Sequence, residues 1–200
     1  MSDTLFEESG FVARINGGRP LVDNSRFVFF IGLALDLMLF SGLIGAFYVL
    51  REGAASWPPP DLVILDLRVA ESGSSCLLIA SLLLVLTVRA QNRNSLGLMR
   101  ASLAAALLFL LATLAIGVVQ WRFYLASGVP MRSAFGILFL IVTAVYYVHI
   151  AASASYIAVK YRGMLRWKQY TRSGVSLMHL ASFVVAMFVV WLGLVAVVYF

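Results

Sequence analysis

The chain has 200 residues, 62% of them hydrophobic and 12% charged, with a formal net charge of +6 and a mean hydropathy of +0.95. An average soluble domain is about 45–50% apolar and about 25% charged, so a water-soluble globule of this size could not hide so much apolar surface, and the missing solvent must be lipid. The basic residues sit in short stretches between apolar runs, a distribution that orients a membrane protein rather than forming a nucleic-acid face, and the single cysteine, Cys76, excludes a disulfide framework or a cysteine metal site within one chain.

In chain order, residues 1–26 are polar with both charge signs and read as a cytoplasmic or interfacial segment. The first apolar run is too long for the core of a cleavable signal peptide, so it is expected to remain as an anchor. Five apolar runs follow, at about 27–50, 72–90, 98–121, 134–159 and 174–200. Each is near or above the ~20 residues that carry a helix across a ~30 Å hydrocarbon core. They do not alternate in polarity, which argues against membrane strands. The expectation is an all-α membrane protein, a bundle of five transmembrane helices over 27–200. Between the first two runs, Trp57-Pro58-Pro59-Pro60 cannot continue a helix and stiffens the turn.

Loop charge gives a direction. Arg14, Arg19, Arg26, Arg89, Arg93, Arg100, Lys160, Arg162, Arg166, Lys168 and Arg172 fall on one side, and only Arg51, Arg68, Arg122 and Arg132 on the other. The positive-inside rule then places the N terminus in the cytoplasm and Phe200 outside. Trp57, Trp121, Trp167 and Tyr170 fall near run ends, where an aromatic belt is expected.

Few residues within the runs carry chemistry. Asp36 lies about ten residues into the first run, and a carboxylate there costs ~2.5–3.5 kcal/mol on insertion scales. It has two readings: a proton-linked or lipid-binding group, or a hydrogen-bonded acid that fixes helix packing. Glu71 stands three residues after Arg68, close enough on a helix for an interfacial ion pair. His149 and His179 belong to different runs. Imidazole can hold metal or haem, but no carboxylate or cysteine at ligand spacing accompanies either, so the plainer reading is a satisfied histidine between helices. Ser41, Gly42, Gly45 and Ala46, and Ala151, Ala152, Ser153, Ala154 and Ser155, are small enough to let helices approach closely.

The stretch Asp36-Leu37-Met38-Leu39-Phe40-Ser41-Gly42-Leu43-Ile44-Gly45-Ala46-Phe47-Tyr48-Val49-Leu50-Arg51, followed by Trp57-Pro58-Pro59, resembles the third helix and following Trp-Pro-Pro of subunit III of the haem-copper oxidases. Asp36 stands where that family has a buried glutamate. Ser74-Ser75 resembles the paired serine of its next helix, without the Asn-Thr before it. Gln120-Trp121 resembles a Glu-Trp, with an amide in place of the acid. Phe135-Gly136 through Thr143 to His149-Ile150 resembles Phe-Gly…Thr-Gly-x-His-Gly-x-His-Val, with Tyr146 in place of the first histidine and His149 as the second. Val189-Val190-Trp191 and Tyr199 fit the end of the last helix, where Phe183 to Phe188 replace Tyr-Trp-His-Phe-Val-Asp.

The resemblance covers about 27–200 and matches the short five-helix form found in bo-type quinol oxidases. It implies a divergent subunit III in a bacterial cytoplasmic membrane, with no catalytic centre, haem or copper of its own. Such a subunit packs beside the catalytic subunit, which holds the haem and copper, binds phospholipid, and supports proton uptake. The implied proton-linked or lipid-binding candidates are Asp36 and His149, and the motif positions are Arg51, Trp57, Pro58, Pro59, Gln120, Trp121, Thr143 and Tyr146. Alternative expectations are an accessory subunit of a nitric oxide reductase or other respiratory complex, a small independent transporter, and an enzyme whose own haem is held by His149 or His179.

Overall fold

The computed structural model describes residues 24–55, 57, 67–126, 133–167 and 174–199. Over these residues the chain is helical, with no strand, and five helices are long and apolar enough to cross a membrane. They are α1 (Asn24–Glu52), α2 (Leu67–Asn92), α3 (Leu96–Ala126), α4 (Ala134–Trp167) and α5 (Gly174–Tyr199). In lipid every backbone N–H and C=O needs a partner within the protein, and an unbroken helix supplies it. The helices extend beyond several of the apolar runs, most clearly where α2 begins at Leu67 and α4 continues to Trp167. Helical hydrogen bonding does not stop at the edge of the hydrocarbon, and the added turns carry the polar and aromatic residues of the interface.

The chain divides into two compact units, Met1–Leu35 and Asp36–Phe200. In the first, the described part is the opening half of α1, where Phe29 and Phe30 meet edge to face at 5.6 Å. In the second, α2 packs most extensively on α3 and next on α5, and α3 packs on α4. Ala70, Ala80, Ala90 and Ala106 are all buried, and a Cβ on Gly73 would lie 3.7 Å from Ile116 of α3. Small residues at such contacts let backbones come close, which is where packing energy arises when lipid supplies no hydrophobic drive.

Among the described residues, the expectation of close approach in the stretch Ser41, Gly42, Gly45 and Ala46 is not met at its two glycines. A Cβ on Gly42 or Gly45 would meet nothing within 4 Å. The reason lies in the other face of α1, which contributes Phe40 and Phe47, each at most 1% exposed. Large knobs hold the helix off where glycines would bring it in. Of the small residues in α4, Ser153 and Ala154 are buried, whereas Ala152 and Ser155 are exposed.

The helix ends follow local chemistry. At the α2–α3 turn, the Asn94 N–H donates to the Gln91 carbonyl and the Ser95 N–H to the Ala90 carbonyl, both at 2.9 Å, with Asn94 at φ 54°. This is a Schellman C-cap with asparagine at its left-handed position. The Ser95 carbonyl then accepts from the Met99 N–H to start α3. Ser133 caps α4, its Oγ accepting the Gly136 N–H at 3.0 Å. At the other end of α4, the Arg100 Nη2 donates to the Met164 carbonyl at 3.2 Å, one of the last four carbonyls that the helix leaves without an intrahelical donor. A cation there also complements the helix dipole. Arg100→Ala is therefore expected to cost about 0.3–1 kcal/mol, read as a small drop in the unfolding midpoint of the detergent-solubilised protein, with Arg100→Lys restoring part of it.

Candidate functional site

Asp36 and His149 meet. The Nε2 of His149 lies 3.3 Å from Oδ1 of Asp36, and the two side chains are 23% and 26% exposed respectively. The other ring nitrogen, Nδ1, is 2.7 Å from the carbonyl of Val145, one turn back on α4. A carbonyl only accepts, so Nδ1 carries a proton and donates. A single proton then serves the Nε2–Oδ1 contact. On nitrogen it makes an imidazolium–carboxylate pair, and on oxygen it makes a carboxylic acid donating to a neutral imidazole. An acid that shares a proton with a histidine costs less in an apolar helix bundle than an acid alone. The carboxylate that sequence spacing did not supply to His149 is brought to it by tertiary packing.

Rings enclose the pair on one side. Phe40, one turn along α1 from Asp36, meets the His149 ring edge to face at 5.6 Å and Tyr146 at 6.4 Å. Phe183 of α5 stacks on His149 at 6.1 Å. Tyr146 is fully buried and stacks on Trp191 at 4.8 Å and 27°. Its hydroxyl is buried and meets no hydrogen-bond partner among the described residues.

A second polar group joins α3 to α4. The Trp121 indole N–H donates to Thr143 Oγ1 at 3.0 Å, and that hydroxyl donates to the Phe139 carbonyl at 2.7 Å. The Tyr147 hydroxyl donates to Gln120 Oε1 at 3.1 Å. A third joins α5 to α2. The Trp191 indole N–H donates to Ser74 Oγ at 2.7 Å, and Ser74 donates in turn to the Ala70 carbonyl at 2.8 Å. Between these groups lies a shallow, partly open apolar crevice whose lining includes Phe47, Gln120, Thr143, Trp191 and Val198.

Arg51 is in the last turn of α1, where a cation complements the helix dipole. Trp57 packs edge to face on Phe135 at 5.1 Å, and Phe135 contacts Phe47 at 5.7 Å. The start of α4 is thus pinned by aromatic contact to residues on either side of the α1 terminus. Pro58 and Pro59 lie outside the described residues, as do Pro60, Asp66 and Tyr170. Glu71 and Arg68 are both exposed at the start of α2. His179 is half-buried near the start of α5 and is not part of the Asp36–His149 pair. Among the described residues, no three histidine, cysteine, aspartate or glutamate side chains gather as a metal site.

Sequence reasoning named most of these residues but not their meetings; it named Phe183 only as a replacement in a motif, and it gave no role to Tyr147 or Gly117. A Cβ on Gly117 would fall 2.4 Å from Cζ of Tyr147, so the glycine is the surface on which that ring lies. The available signal was a glycine inside an otherwise apolar helix, three residues before Gln120. Comparison with protein-family models and with curated proteins finds no match to this chain.

Proposed function

We propose that this chain is a non-catalytic subunit of a respiratory haem-copper oxidase, akin to the short form of subunit III, with its N terminus in the cytoplasm of a bacterium. The observation that carries the reading is the meeting of Asp36 with His149. These two residues belong to family-like stretches of two separate helices, and the resemblance names both as candidates without saying that they touch. The same holds for Trp121 with Thr143 and for Ser74 with Trp191. Residues chosen by resemblance in distant segments pair with one another in the bundle, as expected if the motifs serve one shared architecture.

In this reading the five helices are a scaffold, and the haem and copper belong to the catalytic subunit beside it. Asp36 and His149 hold a proton within the membrane, close to where the partner takes protons up. The crevice between the helices, apolar apart from Gln120 and Thr143, is where we place a lipid chain. A subunit of a nitric oxide reductase is the second reading. It is favoured by the replacement of the family's polar groups with the buried Tyr146 and the largely apolar Phe183–Phe188 stretch. An independent transporter gains less support, because it calls for a broken helix at the substrate site, and the five described helices are continuous.

Purification of the tagged chain in mild detergent, with redox difference spectra and native mass, tests the proposal. The expected result is copurification with a haem-bearing partner whose spectrum persists when the tagged chain is removed. Haem bound to the isolated chain, or a stable cofactor-free monomer with transport activity, would refute it. The identity of the partner's reaction, oxygen or nitric oxide reduction, separates the two respiratory readings. Asp36→Asn is expected to leave assembly intact and to shorten the time over which the complex sustains turnover.

A further inference from the structure

The Asp36–His149 pair satisfies itself only in part. Both histidine nitrogens are engaged, one with Val145 and one with Asp36. Only Oδ1 of the carboxyl group is used. Among the described residues no donor reaches the second oxygen, Oδ2, and a quarter of the side chain remains uncovered. That oxygen is an acceptor wherever the shared proton sits. Hydrocarbon cannot donate to it, and membrane-embedded acids normally face protein or water.

The surroundings narrow what can cover it. Leu39, three residues on, continues the same flank of α1 and is 46% exposed, and the exposed positions nearby include Leu37 and Met38. A second copy of this face would bring mainly alkyl groups. The hydroxyl of Ser41 is already donating to the Met38 carbonyl, and Tyr48 lies three turns away. Complementarity therefore calls for a different surface, one that is apolar except for a donor at the depth of Asp36.

We infer that the flank of α1 carrying Asp36 and Leu39 is a docking surface for a transmembrane helix of a different protein, and that this helix places a hydroxyl, amide or indole N–H donor on Oδ2 of Asp36. The inference rests on the reading of this chain as a subunit of a larger complex and assigns the face by which it docks. The pair then has two tasks: His149 neutralises the acid within the chain, and the free oxygen sets the depth and register of the partner. Asparagine at position 36 preserves an acceptor oxygen for the partner and an N–H for His149. Leucine there preserves volume and removes both.

The test uses the full chain in its native membrane. A photo-crosslinking residue is placed at Leu39, and separately at Leu108 on α3, which is 67% exposed. Crosslinked peptides are identified by mass spectrometry. The expected result is a crosslink from position 39 to a transmembrane segment of another protein that contains a donor side chain, with lipid adducts alone from position 108. Asp36→Leu is expected to lower recovery of that partner about tenfold or more, the size of a lost hydrogen bond to a charged or buried acid, and Asp36→Asn is expected to restore most of it. Lipid adducts alone at position 39, a crosslinked dimer of this chain, or undiminished recovery with Asp36→Leu would overturn the inference. A haem-bearing partner captured from position 108 and not from 39 would overturn it while leaving the proposed function standing. A haem-free partner captured from position 39, and lost with Asp36→Leu, would support the docking surface and count against the oxidase reading.

Discussion

Trp191→Ala is expected to be among the most destabilising single substitutions in the bundle. The side chain is 6% exposed, stacks on the fully buried Tyr146 and also contacts Tyr147 at 6.2 Å. Its indole N–H closes the α5–α2 hydrogen bond to Ser74. In a water-soluble core, Trp→Ala costs about 3–5 kcal/mol through transfer and cavity terms together. Lipid is as apolar as the core, so the transfer share shrinks and the packing share remains, leaving roughly 2–3 kcal/mol. Thermal unfolding of the detergent-solubilised chain, followed by loss of monodispersity, should show a large fall in midpoint. Trp191→Phe separates the parts. It keeps a ring against Tyr146 and loses only the N–H to Ser74, so a drop of about 0.5–1.5 kcal/mol is expected. Equal losses for the two variants would mean that the stack contributes nothing and the hydrogen bond everything.

Gly117→Val tests the opposite failure, too much volume. An added Cβ would lie 2.4, 2.6 and 2.8 Å from three atoms of the Tyr147 ring, all well inside the ~3.5–4.0 Å at which carbon atoms rest. The ring has little room to retreat, since Trp121, Tyr146 and Trp191 all lie within 6.5 Å of it. Replacing glycine within a helix by itself favours the helix, so intrinsic propensity predicts a more stable protein. The clash predicts the reverse, at about 1–3 kcal/mol for overpacking, together with loss of the Tyr147 bond to Gln120. We expect the clash to win. In a double-mutant cycle, Tyr147→Leu should recover much of the loss, because the glycine and the ring occupy one shared space. A gain in unfolding midpoint for Gly117→Val would show that the α3–α4 contact is looser than these distances require.

These two sites show where reading from sequence stops. The five helices were legible because the length of an apolar run is compared with one external ruler, the thickness of the bilayer. Asp36 was legible for a similar reason: an acid in such a run is costly whatever surrounds it. The pairing of Trp191 with Ser74 was not, although both residues had been singled out. In a soluble helix, polar residues mark the face turned to water and so reveal the face turned inward. In lipid both faces are apolar. Leu108, 67% exposed, and Leu110, fully buried, are the same residue type two positions apart on α3. Nothing in residue type separates them, so the inward face of each helix is decided by fit.

Small residues show the same limit from the other direction. Gly42 and Gly45 were read as a site of close approach and stand open, whereas Gly117, not singled out, carries a ring. A glycine permits contact without specifying with what.

The sequence by itself determined the five membrane-length helices seen among the described residues, where they begin to within about five residues, and that an acid had to be accommodated about ten residues into the first apolar run. Run length, prolines and the cost of a buried charge each act locally, on residues near in the chain. Only the tertiary structure decided that His149 receives Asp36, and that Phe40 and Phe47 are buried while Gly42 and Gly45 meet nothing. Those outcomes depend on side chains from several helices competing for the same space, and in a solvent as apolar as the core, shape and hydrogen bonding choose among them.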